Sequence, residues 1–103
     1  MNHTPTIDPD GVVSRISPPK EWLKQLSFNA AQLLAFVDAT PTTEENGGWV
    51  FLNPEDLLAW RAKKKRKKAI QELINRGIVE EMRAKNRHGD IHRWLRIVEG
   101  YQL

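Results

Sequence analysis

A run of six consecutive basic residues, from Lys63 to Lys68, is the part of this chain whose chemistry is easiest to name. Apolar residues after this run recur at helical spacing, so the run lies at the front of a predicted helix. Charges placed there surround the helix end and act together with its free amide groups, which attract phosphate. They also oppose the helix dipole and repel one another, so the run is unfavourable without an anion. The alternative interpretation is a solvated charge run or a localisation peptide.

In this chain of 103 residues, negative charge predominates in the N-terminal part and positive charge in the C-terminal part. Residues 1–60 carry three Lys/Arg and eight Asp/Glu, a net charge of −5. Residues 61–98 carry thirteen Lys/Arg and four Asp/Glu, a net charge of +9, and with Glu99 the whole chain has +3. Such a separation indicates that a polyanionic partner faces the C-terminal half.

The predicted basic helix begins at about Ala62 and ends at Arg76, with Gly77 as a helix stop. Its apolar stripe consists of Ala62, Ala69, Ile70, Leu73 and Ile74. Gln71 and Asn75 lie on the opposite, polar face. Because their amides can form two hydrogen bonds with adenine, whereas lysine mainly contacts phosphate, Gln71 is the candidate for reading sequence. Plain surface exposure is the alternative for Gln71.

A second basic element follows this helix. Residues 78–85 and 91–98 are predicted strands, and the turn between them contains Gly89, so the segment forms a β-hairpin. Its basic residues contact phosphates or a minor groove in this interpretation, or else protect an exposed strand from pairing with other chains. The residues predicted to contact DNA are Lys63, Lys64, Lys65, Lys67, Lys68, Gln71, Asn75, Arg83, Lys85, Arg87, His88 and Arg93.

Catalysis and metal binding have little support in the sequence. The chain has no cysteine, which excludes disulfides, thiolate catalysis and Cys-based metal sites. The acidic residues are scattered, and there is no Gly-rich phosphate loop or nucleophile motif. His88 and His92 flank Gly89 and Asp90 on the predicted hairpin instead of sharing a helix face, and no further ligand follows them. We therefore predict that the protein is not an enzyme and has no metal, cofactor or evident small-molecule ligand.

The elements that position the basic residues start with a predicted helix over residues 28–39. Ser27 is its expected N-cap, and a helical turn over residues 21–25 precedes it, with Trp22 and Leu23 facing inward. Its apolar face consists of Leu33, Leu34, Phe36 and Val37. A short buried strand is then predicted over residues 49–52. A second helix is predicted over residues 54–60, with Asn53 as its N-cap.

The domain organisation is a flexible N-terminal arm (1–11), one folded domain (12–98) and a short C-terminal tail (99–103). Residues 12–16 are predicted to form an extended segment or strand, because prolines occur on both sides of them. The four tryptophans each have apolar neighbours, which favours core positions over stacking on nucleobases. They are Trp22, Trp49, Trp60 and Trp94.

The element order predicts an α+β winged helix-turn-helix, with three main helices, a short strand and a C-terminal basic β-hairpin. From about Val12 to Val98 the chain resembles the winged helix-turn-helix proteins of plasmids and phages, including RepL-like replication initiators. Residues 12–16, 26–37, 49–52 and 69–79 carry the likeness. The resemblance implies DNA binding in a regulatory or replication setting. Residues 60–65 lack the family's small turn residues, which favours backbone contacts over base readout.

We therefore predict a double-stranded DNA-binding protein, a transcriptional regulator (repressor) of a plasmid or phage that acts as a homodimer on a repeated or palindromic site. A replication initiator, or a protein that binds an origin or segregation site, is the first alternative. An RNA-binding or protein-interaction module is the second. The absence of a signal-like start and of a bilayer-length apolar run predicts a cytoplasmic, nucleoid-associated protein.

Overall fold

The computed structural model describes residues 13, 16–42, 47–52, 63–101 and 103. Over these residues the chain is an α+β fold, as predicted, with two α-helices and a three-stranded antiparallel sheet. The elements are a 3-10 helix (Lys20–Lys24), α1 (Phe28–Ala39), β1 (Val50–Phe51), α2 (Lys63–Asn75), β2 (Val79–Lys85) and β3 (Ile91–Ile97). The predicted helix over residues 54–60, Trp60 included, and the predicted N-terminal arm lie outside the described residues.

Helix α1 lies at the centre of the fold. Ser27 caps it as predicted, because the Ser27 Oγ accepts a hydrogen bond from the Ala30 N–H at 3.2 Å. Every residue from Ala30 to Val37 is buried, which is typical of a helix with apolar side chains around most of its circumference. The buried Gln32 donates through its Nε2 to the Ile16 carbonyl oxygen at 3.0 Å, so this amide keeps a partner inside the fold.

Helix α2 has the amphipathic pattern that the sequence predicts. Ala69, Ile70 and Leu73 are buried, and α2 packs against α1. The helix ends at the predicted glycine: Gly77 has a φ of 70°, and the Ile78 N–H donates to the Leu73 carbonyl oxygen at 3.0 Å. Left-handed glycine and this hydrogen bond form a Schellman motif, which satisfies carbonyl groups at the helix end.

Two polar links fasten the C-terminal half of α2 to the start of α1. The Ser27 N–H donates to the Glu72 Oε2 at 2.8 Å, so a carboxylate from α2 binds a free amide at the α1 N-terminus. The Arg76 Nη2 donates to the Gln25 Oε1 at 2.8 Å. Because these links join residues far apart in the chain, they fix the direction in which the lysine-rich end of α2 leaves the core.

The sheet has the strand order β1-β3-β2. Val50 is opposite Leu95 in the β1–β3 pair, and Val79 is opposite Ile97 in the β2–β3 pair. Val50, Val79 and Leu95 are buried on the sheet face that covers the helices. The predicted hairpin is confirmed to within one residue at its ends, whereas β1 is shorter than the predicted strand over residues 49–52.

The structure differs from the sequence-based expectations for Trp49, Trp94, Leu23 and the N-terminal extended segment. Trp49 and Trp94 are only half-buried and lie outside the core cluster, because they belong to the sheet face turned away from the helices. Leu23 is 41% exposed instead of inward-facing. The Ile16 N–H donates to the Val13 carbonyl oxygen at 3.2 Å, a contact that the ends of the predicted extended segment would not form.

No helix among the described residues has the length and hydropathy needed to cross a membrane.

Candidate nucleic-acid interface

The N-terminal half of α2 presents five exposed lysines. They are Lys63, Lys64, Lys65, Lys67 and Lys68. Within the part of the chain that the structure describes, none of these ammonium groups forms an ion pair with a carboxylate. Arg66 differs from them, since it is half-buried and has a partner. This end of the helix therefore holds a high density of positive charge, and no described carboxylate forms an ion pair with its lysines.

Lys64, Lys68, Gln71 and Asn75 lie along one stripe of α2, because their spacings of three and four residues follow the helical repeat. Gln71 and Asn75 are both exposed, and the Gln71 Nε2 donates to the Asn75 Oδ1 at 2.8 Å. The hydrogen bond holds the two amides side by side, and it does not use the Gln71 Oε1, which is an acceptor. The structure thus brings the predicted reading residues onto the same face as two of the predicted phosphate-binding lysines.

A groove of about 510 Å³ connects the start of α2 with the hairpin turn. Lys63, Arg66 and Lys67 border it on the helix side, and residues 89–93 border it on the hairpin side. The helix and the hairpin were predicted separately as basic elements, and from the hairpin the lining includes Arg93 together with the acidic Asp90. Positive charge therefore exceeds negative charge along the groove and comes mainly from α2, which favours the binding of phosphate.

The strand arginines of the hairpin differ from the helix lysines because acidic neighbours partly neutralise them. The Arg83 Nε lies 2.7 Å from the Glu81 Oε1, and the Arg93 Nη1 lies 4.0 Å from the Glu81 Oε2. The Arg96 Nη2 lies 2.8 Å from the Glu80 Oε2, and its guanidinium lies 4.4 Å from the centre of the Trp49 ring. Of the predicted hairpin contacts, Arg83 and Arg93 are therefore weaker candidates for phosphate binding.

The hairpin turn presents exposed basic residues of its own. Lys85, Arg87 and His88 are exposed, and none forms an ion pair with another described residue. Asn86 sets the shape of this turn: its Oδ1 accepts from the His88 N–H at 2.9 Å and from the Asp90 N–H at 3.0 Å. These basic residues therefore lie on or beside a turn whose shape Asn86 fixes, at the groove end of the hairpin.

Asn86 and His92 help to position the hairpin turn, a role that the sequence patterns do not assign to either residue. The Asn86 Nδ2 lies 3.2 Å from the His92 Nε2, and the His92 ring stacks on Phe51 at 5.4 Å between centroids. An asparagine at the start of a predicted turn is the available signal for the first of them, since its short amide often bonds backbone groups two residues ahead. The role of His92 can be recognised only once the strand register is known.

Comparison with known proteins identifies no relative, because no family model matches the chain and no curated protein or solved structure is significantly similar to it.

Proposed function

We propose that this protein binds double-stranded DNA through α2 and the hairpin turn, as a small winged-helix transcriptional regulator of a plasmid or phage. The observation that carries the proposal is the groove where the lysine-rich end of α2 meets the hairpin turn. Lysines release counterions when they bind phosphates, which provides affinity for any duplex, and none of the α2 lysines has an ion pair with another described residue.

The sheet topology supports the winged-helix arrangement. In that arrangement the strand that precedes the recognition helix pairs with the second strand of the hairpin, and β1 pairs with β3 here. The hairpin follows α2 directly and corresponds to the wing. Helix α2 has 13 residues and is therefore about 20 Å long, sufficient to lie in a major groove. The predicted helix over residues 54–60 would complete the three-helix set.

The same surface offers two kinds of DNA contact. The five α2 lysines suit phosphates, whereas the amide pair formed by Gln71 and Asn75 suits a base edge. Phosphate contacts fix the position of the protein and determine most of the affinity. Base contacts then select the sequence. On this basis we assign the lysines to affinity and the amide pair to specificity.

Selection of bound sequences from a random duplex library tests the proposal, together with binding measured at several salt concentrations. We expect recovery of a sequence motif and a log–log salt slope of roughly −4 to −6, which corresponds to about five to seven phosphate contacts. A palindromic motif would support regulation by a dimer, and tandem repeats would favour the role of origin or segregation-site binding. Tighter binding to RNA hairpins than to duplex DNA at matched salt would contradict the proposal.

Replacement of Gln71 with Ala is expected to remove preference at one base pair of the selected site. The free-energy difference between matched and mismatched base at that position should fall by about 1–3 kcal/mol, with little change on random DNA. Competition binding with singly substituted duplexes measures this. Asn75→Ala should produce a partial loss at the same position, because the Asn75 Oδ1 holds the Gln71 amide in place. Equal losses on target and random DNA would remove Gln71 from the reading residues.

A further inference from the structure

The outer edge of β2 has no neighbouring strand within the described sheet, since β3 pairs with β2 on one side only. The Asn86 N–H donates to the Asp90 carbonyl oxygen, and the Val98 N–H donates to the Ile78 carbonyl oxygen. In this register the even-numbered residues of β2 therefore form the hydrogen-bonded pairs with β3. The backbone groups of the odd-numbered residues point away from the sheet. These residues are Val79, Glu81, Arg83 and Lys85.

The charges along β2 change sign at its middle. Glu80 and Glu81 precede Met82, whereas Arg83 and Lys85 follow it. Two such strands laid antiparallel around Met82 put Glu81 of each copy opposite Arg83 of the other. Two-fold axes through residues 80, 81, 83 or 84 each put like charges opposite one another, which destabilises a cross-strand pair. The sequence of this edge is therefore complementary to itself in one register.

An apolar row on the outer sheet face ends at the same residue. Phe51, Trp94 and Met82 are directly opposite one another across β1, β3 and β2. The Phe51 and Trp94 ring centroids lie 5.5 Å apart, and Phe51 and Met82 are 37% and 40% exposed. A second copy of β2 placed against the edge continues this row through its own Met82. The exposed apolar surface and the outward-facing backbone groups of β2 are then covered together.

We propose that two copies of this chain associate through β2, which pairs antiparallel with β2 of the second copy about a two-fold axis at Met82. The outward backbone groups of Glu81 and Arg83 then exchange hydrogen bonds with those of the second copy, and the two sheets join into one of six strands. The interface is isologous, as most homodimer interfaces are. It depends only on the edge and does not require that the protein binds DNA.

A single-cysteine cross-linking experiment tests this register, because the chain itself contains no cysteine. At a non-hydrogen-bonded antiparallel pair the Cα atoms lie about 4.5 Å apart, within the range that a disulfide spans. Met82→Cys should therefore form a disulfide-linked dimer under mild oxidation at least about tenfold faster than Ala84→Cys. Ala84 lies on the same face of the same strand and is also exposed, but in this register it faces Glu80 of the second copy. Equal rates for the two variants would overturn the proposal.

Sedimentation equilibrium of the unmodified chain and two Met82 variants provides the second measurement. Met82→Lys places two ammonium groups opposite each other at the axis and should raise the dimer Kd by about tenfold or more. Met82→Leu keeps an apolar side chain there and should leave the Kd within a few-fold of its original value. Circular dichroism establishes that both variants remain folded, since Met82 is exposed in the single chain. A chain that stays monomeric into the millimolar range, or a Met82→Lys variant with unchanged Kd, would contradict the proposed dimer.

Discussion

Replacement of Lys64, Lys67 and Lys68 together with Ala is expected to weaken binding to target and random duplexes alike, by roughly 100-fold at physiological salt. All three side chains are exposed on α2 and have no ion pair among the described residues, so they are available to phosphates. Each lost phosphate contact makes the log–log salt slope less negative by about 0.9, so the loss of three contacts should make it less negative by about three. Binding isotherms at four or more salt concentrations measure both effects.

This loss of affinity should occur without loss of the fold. Alanine is the best helix former, and removing like charges from the N-terminal end of α2 relieves repulsion and an unfavourable interaction with the helix dipole. The melting temperature should therefore stay the same or rise. Lys20→Ala with Lys24→Ala is the matched control, because both lysines are exposed on the 3-10 helix. Their neighbour Gln25 contacts Arg76, at the opposite end of α2 from Lys63. An equal loss of affinity in this control would contradict a surface specific to α2.

The described helices and the hairpin could be predicted from sequence because local signals determine them. Helix α1 has a serine cap and an apolar repeat, and its observed bounds agree with those predicted. Helix α2 ends at the glycine expected to stop it, since Gly77 takes the positive φ that other residues avoid. In each case the deciding interactions lie within a few residues along the chain.

The arrangement of the site depends on strand register and could not be predicted in the same way. Arg96 binds Glu80 because the two residues are directly opposite in the β2–β3 pair. The groove depends on where α2 lies relative to the hairpin, and α2 is held on the fold by contacts between residues far apart in the chain, such as that between Glu72 and Ser27 at the start of α1. A count of charges treats all basic residues of the hairpin alike, whereas the strand register shows which of them have acidic partners. The strongest candidates for phosphate contacts are therefore the lysines of α2 and the basic residues among 85–88.

The position of Trp94 shows a related limit of sequence patterns. Its apolar neighbours indicate burial, but side chains alternate between the two faces of a strand, so Trp94 and the buried Leu95 face opposite ways. Only the inner face meets the helices. The apolar side chains left on the outer face are those that the proposed β2 edge pairing extends, so a failed core prediction and an exposed apolar row have the same physical origin.

Replacement of Leu73 with Ala is expected to destabilise the fold by about 2–5 kcal/mol, a large part of the roughly 5–15 kcal/mol typical of a small domain. Leu73 is fully buried on the face of α2 that packs against the core, and neighbouring side chains cannot fill the whole volume left by the lost atoms. Urea unfolding followed by circular dichroism measures the change as a lower midpoint. Leu73→Met, which nearly conserves volume, should cost less than about 1.5 kcal/mol.

Gln71→Ala separates this packing effect from any general effect of alanine in α2. Gln71 is exposed and two residues away, so its replacement should change the free energy of unfolding by no more than about 0.5 kcal/mol. Because the lysine surface of α2 is intact in Leu73→Ala, its folded fraction should bind duplex DNA with the original salt slope. A Leu73→Ala midpoint equal to that of Gln71→Ala would show that α2 is not held by its buried face, and the packing of α2 on α1 described above would then be wrong.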